Sequence, residues 1–240
     1  MGSRRENARA TATNVLCRNP VKEIALRAIS ELAEKHNPEF IILYGSIVRG
    51  DFTEDSDIDV ACFCNDPEVS KDVRVFEEKK LDCWVYSLED AVPNKNEFLR
   101  FVGGEVFLDK DGIGKRFIRG ITEFYSNGPK QLKPDEVSHL VEWSRNMLVR
   151  AEGSSTEAKY RRTWLPCELL EIYFNLRKLW YLGSKQSFAW LEENDSAAYR
   201  LFDKAFSDPT DLLVLGELVS AVTNTEQVQA MDAKKPAPML

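Results

Sequence analysis

The sequence predicts an α+β protein: an N-terminal domain with a mixed β-sheet and flanking helices, followed by a C-terminal all-α domain. Two observations carry this prediction. Short apolar runs rich in β-branched and aromatic residues, typical of strands, occur at 40–44, 57–63, 81–86 and 105–108. From about residue 113 onward, apolar residues recur at helical spacing instead. Because strands cluster in one half and helices in the other, we expect two separate domains.

The first elements follow from local patterns. Apolar residues recur at helical spacing over 20–35, and Pro20 stands where a helix can begin. The run 40–44 is apolar throughout, as in an interior strand covered on both faces. Gly45-Ser46 then turns the chain into a short helix that is expected to end near Gly50.

The second half is expected to be helical throughout. Its predicted helices span 113–126, 134–150, 156–181, 187–193, 196–206 and 211–223. We place the domain boundary close to residue 128. The predicted organisation is a flexible leader at 1–19, a first domain at 20–128, a helical domain at 129–226 and a flexible tail at 227–240.

Composition limits the classes of function. The chain has 240 residues, 39 acidic against 32 basic, and a net charge of −7, which argues against stable binding of duplex nucleic acid through phosphate contacts. Five cysteines without a CxxC pair indicate no disulfide framework and favour a reducing, cytoplasmic location. No apolar run approaches the roughly 18 residues that span a bilayer, so no membrane partner is expected.

Two aspartates carry the strongest chemical signal. Asp57 and Asp59 are spaced to share one face of a strand, where they repel each other unless a cation lies between them. Asp82, on the next predicted strand, would complete an oxygen-rich cluster suited to one or two Mg²⁺ ions rather than zinc. The alternative is that all three have structural roles: Asp57 as a turn residue, Asp59 on an exposed strand face, and Asp82 paired with Lys79 or Lys80.

The turn before these aspartates suits phosphate. Gly45 lets the backbone approach a ligand closely, and a helix that begins at Ser46 directs its first N–H groups toward that ligand. Such turns are common and most of them are ordinary loops or helix caps. The turn therefore supports a phosphate site only together with the carboxylates.

Gly45-Ser46, Arg49-Gly50 and the run Ser-Asp-Ile-Asp-Val at 56–60 together resemble the signature of the DNA polymerase β-like nucleotidyltransferase superfamily. The resemblance covers about a sixth of the chain, from residue 44 to residue 82. It implies that the Gly-Ser turn holds the β- and γ-phosphates of ATP or another nucleoside triphosphate. It further implies that three aspartates hold two Mg²⁺ ions: Asp57, Asp59 and Asp82.

The same resemblance gives Arg49 a possible phosphate contact, the alternative being a surface cation near Asp51 or Asp55. The segments 173–186 and 189–191 resemble the C-terminal helical domain of aminoglycoside adenylyltransferases of the streptomycin/spectinomycin type. This second resemblance implies that Lys185 reaches the nucleotide phosphates; the alternative is a solvated or helix-capping lysine.

One departure leaves the acceptor open. The antibiotic enzymes usually lack an Arg-Gly pair like that at 49–50, which resembles minimal nucleotidyltransferases instead. Asp82 is a candidate general base, and Glu168 and Glu171, three residues apart on one helix face, would attract a cationic acceptor. The alternative for the two glutamates is a solvated face near arginines. Both histidines, His36 and His139, are interpreted as structural.

The sequence thus predicts a Mg²⁺-dependent nucleotidyltransferase. It is expected to transfer AMP from ATP, or another nucleotide, to a hydroxyl of a small, aminoglycoside-like acceptor with release of pyrophosphate, which would connect it to antibiotic resistance. Two alternatives stay open: nucleotidylylation of a protein or RNA partner, and a non-catalytic nucleotide-binding regulator. The sequence does not name the acceptor, the preferred nucleotide or the oligomeric state.

Overall fold

The computed structural model describes residues 20–224 and divides into two compact units after Phe124. The N-terminal unit holds a five-stranded mixed sheet with helices, and the second unit is helical. The predicted α+β order is therefore confirmed. The leader predicted at 1–19 and the tail predicted at 227–240 lie outside the described residues.

The N-terminal unit follows the predicted order with one addition. Its elements are α1 (Pro20–His36), β1 (Phe40–Tyr44), α2 (Ser46–Arg49), β2 (Ile58–Cys64), β3 (Lys71–Phe76), β4 (Lys79–Ser87), 3-10 helices at Leu88–Asp90 and Asn96–Phe101, β5 (Glu105–Phe107), a 3-10 helix at Lys110–Gly112 and α3 (Ile113–Ser126), in which the division falls. The helical unit then contains α4 (Pro134–Ala151), α5 (Thr156–Leu176), α6 (Ser184–Asn194), α7 (Ser196–Ser207) and α8 (Leu212–Thr223).

The sheet has the strand order β3-β4-β2-β1-β5, in which β2 and β4 are parallel and the other neighbours antiparallel. Side chains alternate between two differently covered faces. Leu43, Val60 and Cys83 point to a core formed with α1. Their neighbours Tyr44 and Ala61 point to an aromatic core that includes the 3-10 helix Asn96–Phe101 and α3. Asp59 alternates with Val60 and lies on this second, aromatic face.

The strand β3 is missing from the sequence prediction. It forms a hairpin with β4 through a two-residue turn, in which Glu77 and Glu78 both have positive φ (44° and 67°). Such turns normally use Asn or Gly, so two glutamates gave no turn signal. In the structure, Arg27 of α1 donates two hydrogen bonds to Glu77, at 2.8 and 2.5 Å, which ties the turn to the helix.

A buried carboxylate anchors the edge strand to α1. Asp72 of β3 is 8% exposed and accepts hydrogen bonds from Lys35 (2.8 Å) and Arg74 (3.1 Å), with the His36 ring at 3.2 Å. Burial opposes its ionisation, but the bonds to Lys35 and His36 and the charge of Arg74 outweigh this, so the Asp72 pKa lies below its usual value. The structural reading of His36 agrees with this contact.

The helix α5 ends five residues earlier than the sequence predicts. Lys178 adopts a left-handed conformation (φ 55°), and the N–H groups of Lys178 and Leu179 donate back to Asn175 and Phe174. This pair of bonds is the Schellman arrangement that closes a helix, with lysine where glycine is usual. The apolar residues that continue at helical spacing beyond Leu176 gave no sign of this ending.

Arg177, just before that turn, is a buried cation. It is 7% exposed and donates to the carbonyls of Tyr173 (3.3 Å), Val222 (3.2 Å) and Ala221 (3.0 Å), with its guanidinium carbon 3.7 Å from the centroid of the Tyr173 ring. Burial lowers its pKa. The side chain thus satisfies carbonyls at the end of α8, which have no partner within their own helix.

No helix among residues 20–224 is long and apolar enough to cross a membrane. The four cysteines described there are free, and the sulfurs of Cys62 and Cys83 lie 3.7 Å apart in the core. The cytoplasmic location stays a prediction.

We expect Arg177→Met to lower the free energy of unfolding of the helical unit by about 2 kcal/mol, because carbonyls of α8 would be left buried without a donor. Urea unfolding followed by tryptophan fluorescence measures this, since four of the five tryptophans lie beyond residue 124. Arg145→Met, at an exposed position of α4, is the control and should change stability by less than about 0.5 kcal/mol. Equal stability of the two variants would contradict the role given to Arg177.

Candidate active site

The candidate site begins at the turn between β1 and α2. Gly45 has φ 79°, and a Cβ built on it would lie 2.1 Å from the Asp59 Oδ2 atom. Only glycine therefore allows the end of β1 to approach this carboxylate so closely. Ser46, the first residue of α2, is buried, and α2 is a single turn that is capped by Gly50 with φ 85°.

The strand register brings two of the three predicted aspartates together. Asp59 of β2 pairs with Tyr44 on one side and with Asp82 of β4 on the other, so the two carboxylates share a face of neighbouring strands. Asp57 precedes β2 and accepts a 2.5 Å hydrogen bond from Lys80. The alternative pairing of Asp82 with Lys79 or Lys80 is not what the structure shows, because Lys79 donates to the carbonyl of Glu54.

The electrostatics of the site are those of crowded like charges. Burial raises the pKa of Asp59 and the charges of Asp82 and Asp57 raise it further, whereas the charges of Arg49 and Lys80 lower it; together these effects bring the pKa to about 6. Such a carboxyl group lowers its free energy when it gains a proton or a cation.

This donor set fits a divalent metal ion of the Mg²⁺ type. Three carboxylates are hard oxygen ligands, and burial together with the charges of Asp82 and Asp57 raises the pKa of Asp59, so a cation bound there would stabilise its ionised form. Among residues 20–224, no three metal-ligating side chains converge into a ready-made cage. Asp57 is held by Lys80, so it would have to exchange that lysine for the ion. Metal binding stays a prediction.

The remaining predicted residues have defined surroundings. Arg49 lies at the end of α2, with its Nε atom 3.3 Å from Asp51, which is the surface pairing given above as its alternative role. Lys185 is exposed in the first turn of α6, and its predicted contact with nucleotide phosphates stays a prediction. Gly183, which precedes this helix, has φ 91° and allows the sharp entry.

Glu168 and Glu171 line a pocket of about 250 Å³ between α4 and α5. The other lining residues are His139, Leu140, Trp143, Ile172 and Asn175. Neither glutamate is paired with the arginines proposed as its alternative partners: Arg161 binds Glu157, and Arg162 and Arg177 bind backbone carbonyls. Burial, the charge of Glu171 and, more weakly, that of Glu168 raise the pKa of Tyr181 nearby.

Sequence reasoning missed the α4 side of this pocket. His139, read as structural, is exposed and faces the cavity together with Trp143. Their spacing of four on a helix was a usable signal, since residues at i and i+4 share a face. What the sequence did not show is which two helices pack together.

Comparison with known proteins identifies the domain that contains these residues. Residues 26–104 match the family described as "Nucleotidyltransferase domain", a segment that includes the Gly45 turn and all three aspartates. The N-terminal unit therefore contains a nucleotidyltransferase domain of the DNA polymerase β-like superfamily. No curated protein matches the chain significantly.

Among solved structures, the chain is similar to a nucleotidyltransferase-like protein from Exiguobacterium sibiricum 255-15. The two are 11% identical, with a TM-score of 0.40, over 90% of this chain and 81% of the other. The family assignment rests on the domain match and not on this distant similarity.

Two glycine substitutions test the turn. Gly45→Ala and Gly50→Ala both place a side chain at positive φ, but only the first would meet an atom within 4 Å, namely Asp59 Oδ2. Gly50→Ala should cost about 1 kcal/mol of stability through backbone strain alone. We expect Gly45→Ala to cost more and also to weaken Mn²⁺ binding, measured by electron paramagnetic resonance. Equal Mn²⁺ binding by the two variants would show that the close approach of Gly45 to Asp59 is not needed.

Proposed function

We propose that this protein is a metal-dependent nucleotidyltransferase that transfers a nucleoside monophosphate, AMP from ATP, to a hydroxyl group of an acceptor and releases pyrophosphate. The observation that carries the proposal is the in-register pair Asp59 and Asp82, set against the Gly45 turn within a nucleotidyltransferase domain. Asp59 and Asp82 form no ion pair with another of residues 20–224, and two adjacent unpaired carboxylates destabilise a fold unless a cation, such as one that the reaction requires, binds between them.

The proposed roles follow the position of each residue. Gly45 and Ser46 would lie against the nucleotide phosphates, since the absence of a side chain at Gly45 lets the turn lie directly beside the Asp59 carboxylate that would hold the metal. Asp57, Asp59 and Asp82 would hold Mg²⁺, which neutralises phosphate charge and stabilises the departing pyrophosphate when bound. The acceptor oxygen forms a bond to the α-phosphorus while the bond to the bridging oxygen breaks. Asp82, on the outer of the two strands, would accept the hydroxyl proton.

For the acceptor we propose a small organic cation, of which aminoglycosides are an example. The pocket between α4 and α5 offers two carboxylates without an ion pair among the described residues and an indole ring, Trp143, at its wall. Carboxylates attract ammonium groups, and a tryptophan face binds cations or packs against a sugar ring. The acidic balance of the chain agrees with a cationic ligand.

Incubation with Mg²⁺ and α-³²P-labelled nucleoside triphosphates tests the reaction. We expect label to move from ATP to streptomycin or a related aminoglycoside, and Asp59→Asn and Asp82→Asn each to lower transfer by about a hundredfold or more. Asp66→Asn, at an exposed position beyond the other end of β2, is the matched control and should leave transfer unchanged.

A parallel incubation with cell lysate separates the alternatives. Label on a protein or RNA band would support a macromolecular acceptor instead of a small one. Binding of nucleotide without any transfer would support a non-catalytic regulator. Full activity of Asp59→Asn would show that the proposed metal site is wrong.

The acceptor pocket has its own test. Glu168→Gln and Glu171→Gln should each weaken streptomycin binding about threefold to tenfold, an effect that high salt should reduce, because the contribution is electrostatic. Tryptophan fluorescence of the Trp143 wall reports this binding, and Glu192→Gln, exposed on α6, is the control. Unchanged streptomycin binding in both pocket variants would show that the acceptor does not bind in this pocket.

A further inference from the structure

Arg100 occupies a distinctive position on the aromatic face of the sheet. The 3-10 helix Asn96–Phe101 packs there through Phe98 and Phe101, both fully buried. Arg100, between them in sequence, is exposed. Its guanidinium carbon lies 5.1 to 5.9 Å from the centroids of four rings, those of Trp84, Phe101, Tyr44 and Tyr86.

Two of these rings place Arg100 beside the candidate active site. Tyr44 is the strand partner of Asp59, and Trp84 follows Asp82 by two residues on the same face of β4. Burial raises the pKa of Tyr44, the charge of Arg100 opposes this, and those of Asp59 and Asp82 add to it. The same hydroxyl group therefore senses the cation and both carboxylates.

Arg100 also differs from the cations near Asp59 in that it has no carboxylate partner among the described residues. Its guanidinium donates to the hydroxyl of Tyr86, and no carboxylate of residues 20–224 forms an ion pair with it. Arg49 and Lys80, whose charges lower the pKa of Asp59, are each within 4 Å of an aspartate. Of Arg49, Lys80 and Arg100, only Arg100 has no carboxylate partner in the part of the chain that the structure describes.

A guanidinium held against aromatic rings is prepared to bind an oxyanion. Cation–π contacts restrict its orientation, and its remaining N–H groups keep the fork geometry that matches phosphate. A phosphate group is also the anion that the reaction proposed above brings to this face. A neutralising cation here would offset the repulsion between that phosphate and the two aspartates.

We propose that Arg100 binds a phosphate group of a substrate beside Asp59 and Asp82. This inference rests on the proposed function for the presence of that group in the site. The group belongs either to the nucleotide polyphosphate or to a phosphorylated acceptor, which present the same chemistry to the arginine.

Calorimetric titrations of the full-length protein with MgATP, inorganic pyrophosphate and inorganic phosphate test this. Arg100→Met removes the charge and the donors but keeps an aliphatic stem over the rings, and we expect it to weaken binding about tenfold to a hundredfold. Arg100→Lys keeps the charge and should recover part of the affinity. Arg119→Met, exposed on α3 in the same unit, is the matched control.

The pattern of loss identifies the source of the phosphate. If Arg100→Met weakens MgATP and pyrophosphate, and phosphate competes with MgATP, the group is the nucleotide's. If phosphate still binds with MgATP present, and only that binding is lost, the group is the acceptor's. The proposal would be overturned if the Arg100→Met variant bound every probe as tightly as the unaltered protein does. It would also be overturned if the unaltered protein bound none of the probes. Loss of phosphate binding without any transferase activity would support Arg100 and reject the proposed reaction.

Discussion

The candidate site depends on apolar packing that holds two like charges together against their repulsion. Asp59 and Asp82 are neighbours on parallel strands, and carboxylates about 5 Å apart repel by about 3 kcal/mol at an effective dielectric constant of about 20. The register that brings them together is fixed by the apolar residues that alternate with them, because a shift by one residue would turn Val60 and Cys83 out of the core. Packing on one face thus holds an unfavourable charge arrangement on the other.

The two faces of the sheet give their buried or half-buried carboxylates different charged surroundings. On the α1 side, Asp72 is surrounded by Lys35, His36 and Arg74, so its charge is compensated within the protein and its pKa is lowered. On the aromatic side, burial raises the pKa of Asp59, and the charges of Asp82 and Asp57 add to this effect. Aspartate therefore serves as a structural anchor on one face and is proposed as a metal ligand on the other, and the difference lies in the charged partners of each residue.

Much of this was accessible from the sequence, for identifiable reasons. The periodicity of α3 and the apolar run of β1 gave bounds that the structure reproduces. The i, i+2 aspartates and the Gly-Ser turn identified the class of domain. The turn at Glu77-Glu78 and the end of α5 at Lys178 were missed because non-glycine residues adopt positive φ there, and at Glu77 the contact with Arg27 of α1 is one that no local pattern shows.

The site residues divide in the same way. The motif placed Asp57 and Asp59 because they are close in sequence, whereas Arg100 becomes noticeable only when β4 and the 3-10 helix are seen to meet. The net charge of the chain is likewise a limited guide to its binding partners. A charge of −7 favoured a cationic partner, yet the pocket between α4 and α5 is acidic while the face beside Asp82 carries Lys80 and Arg100. We propose an anionic nucleotide and a cationic acceptor as the two substrates, so the total charge alone does not specify either site, and the local arrangement of charges is the better guide.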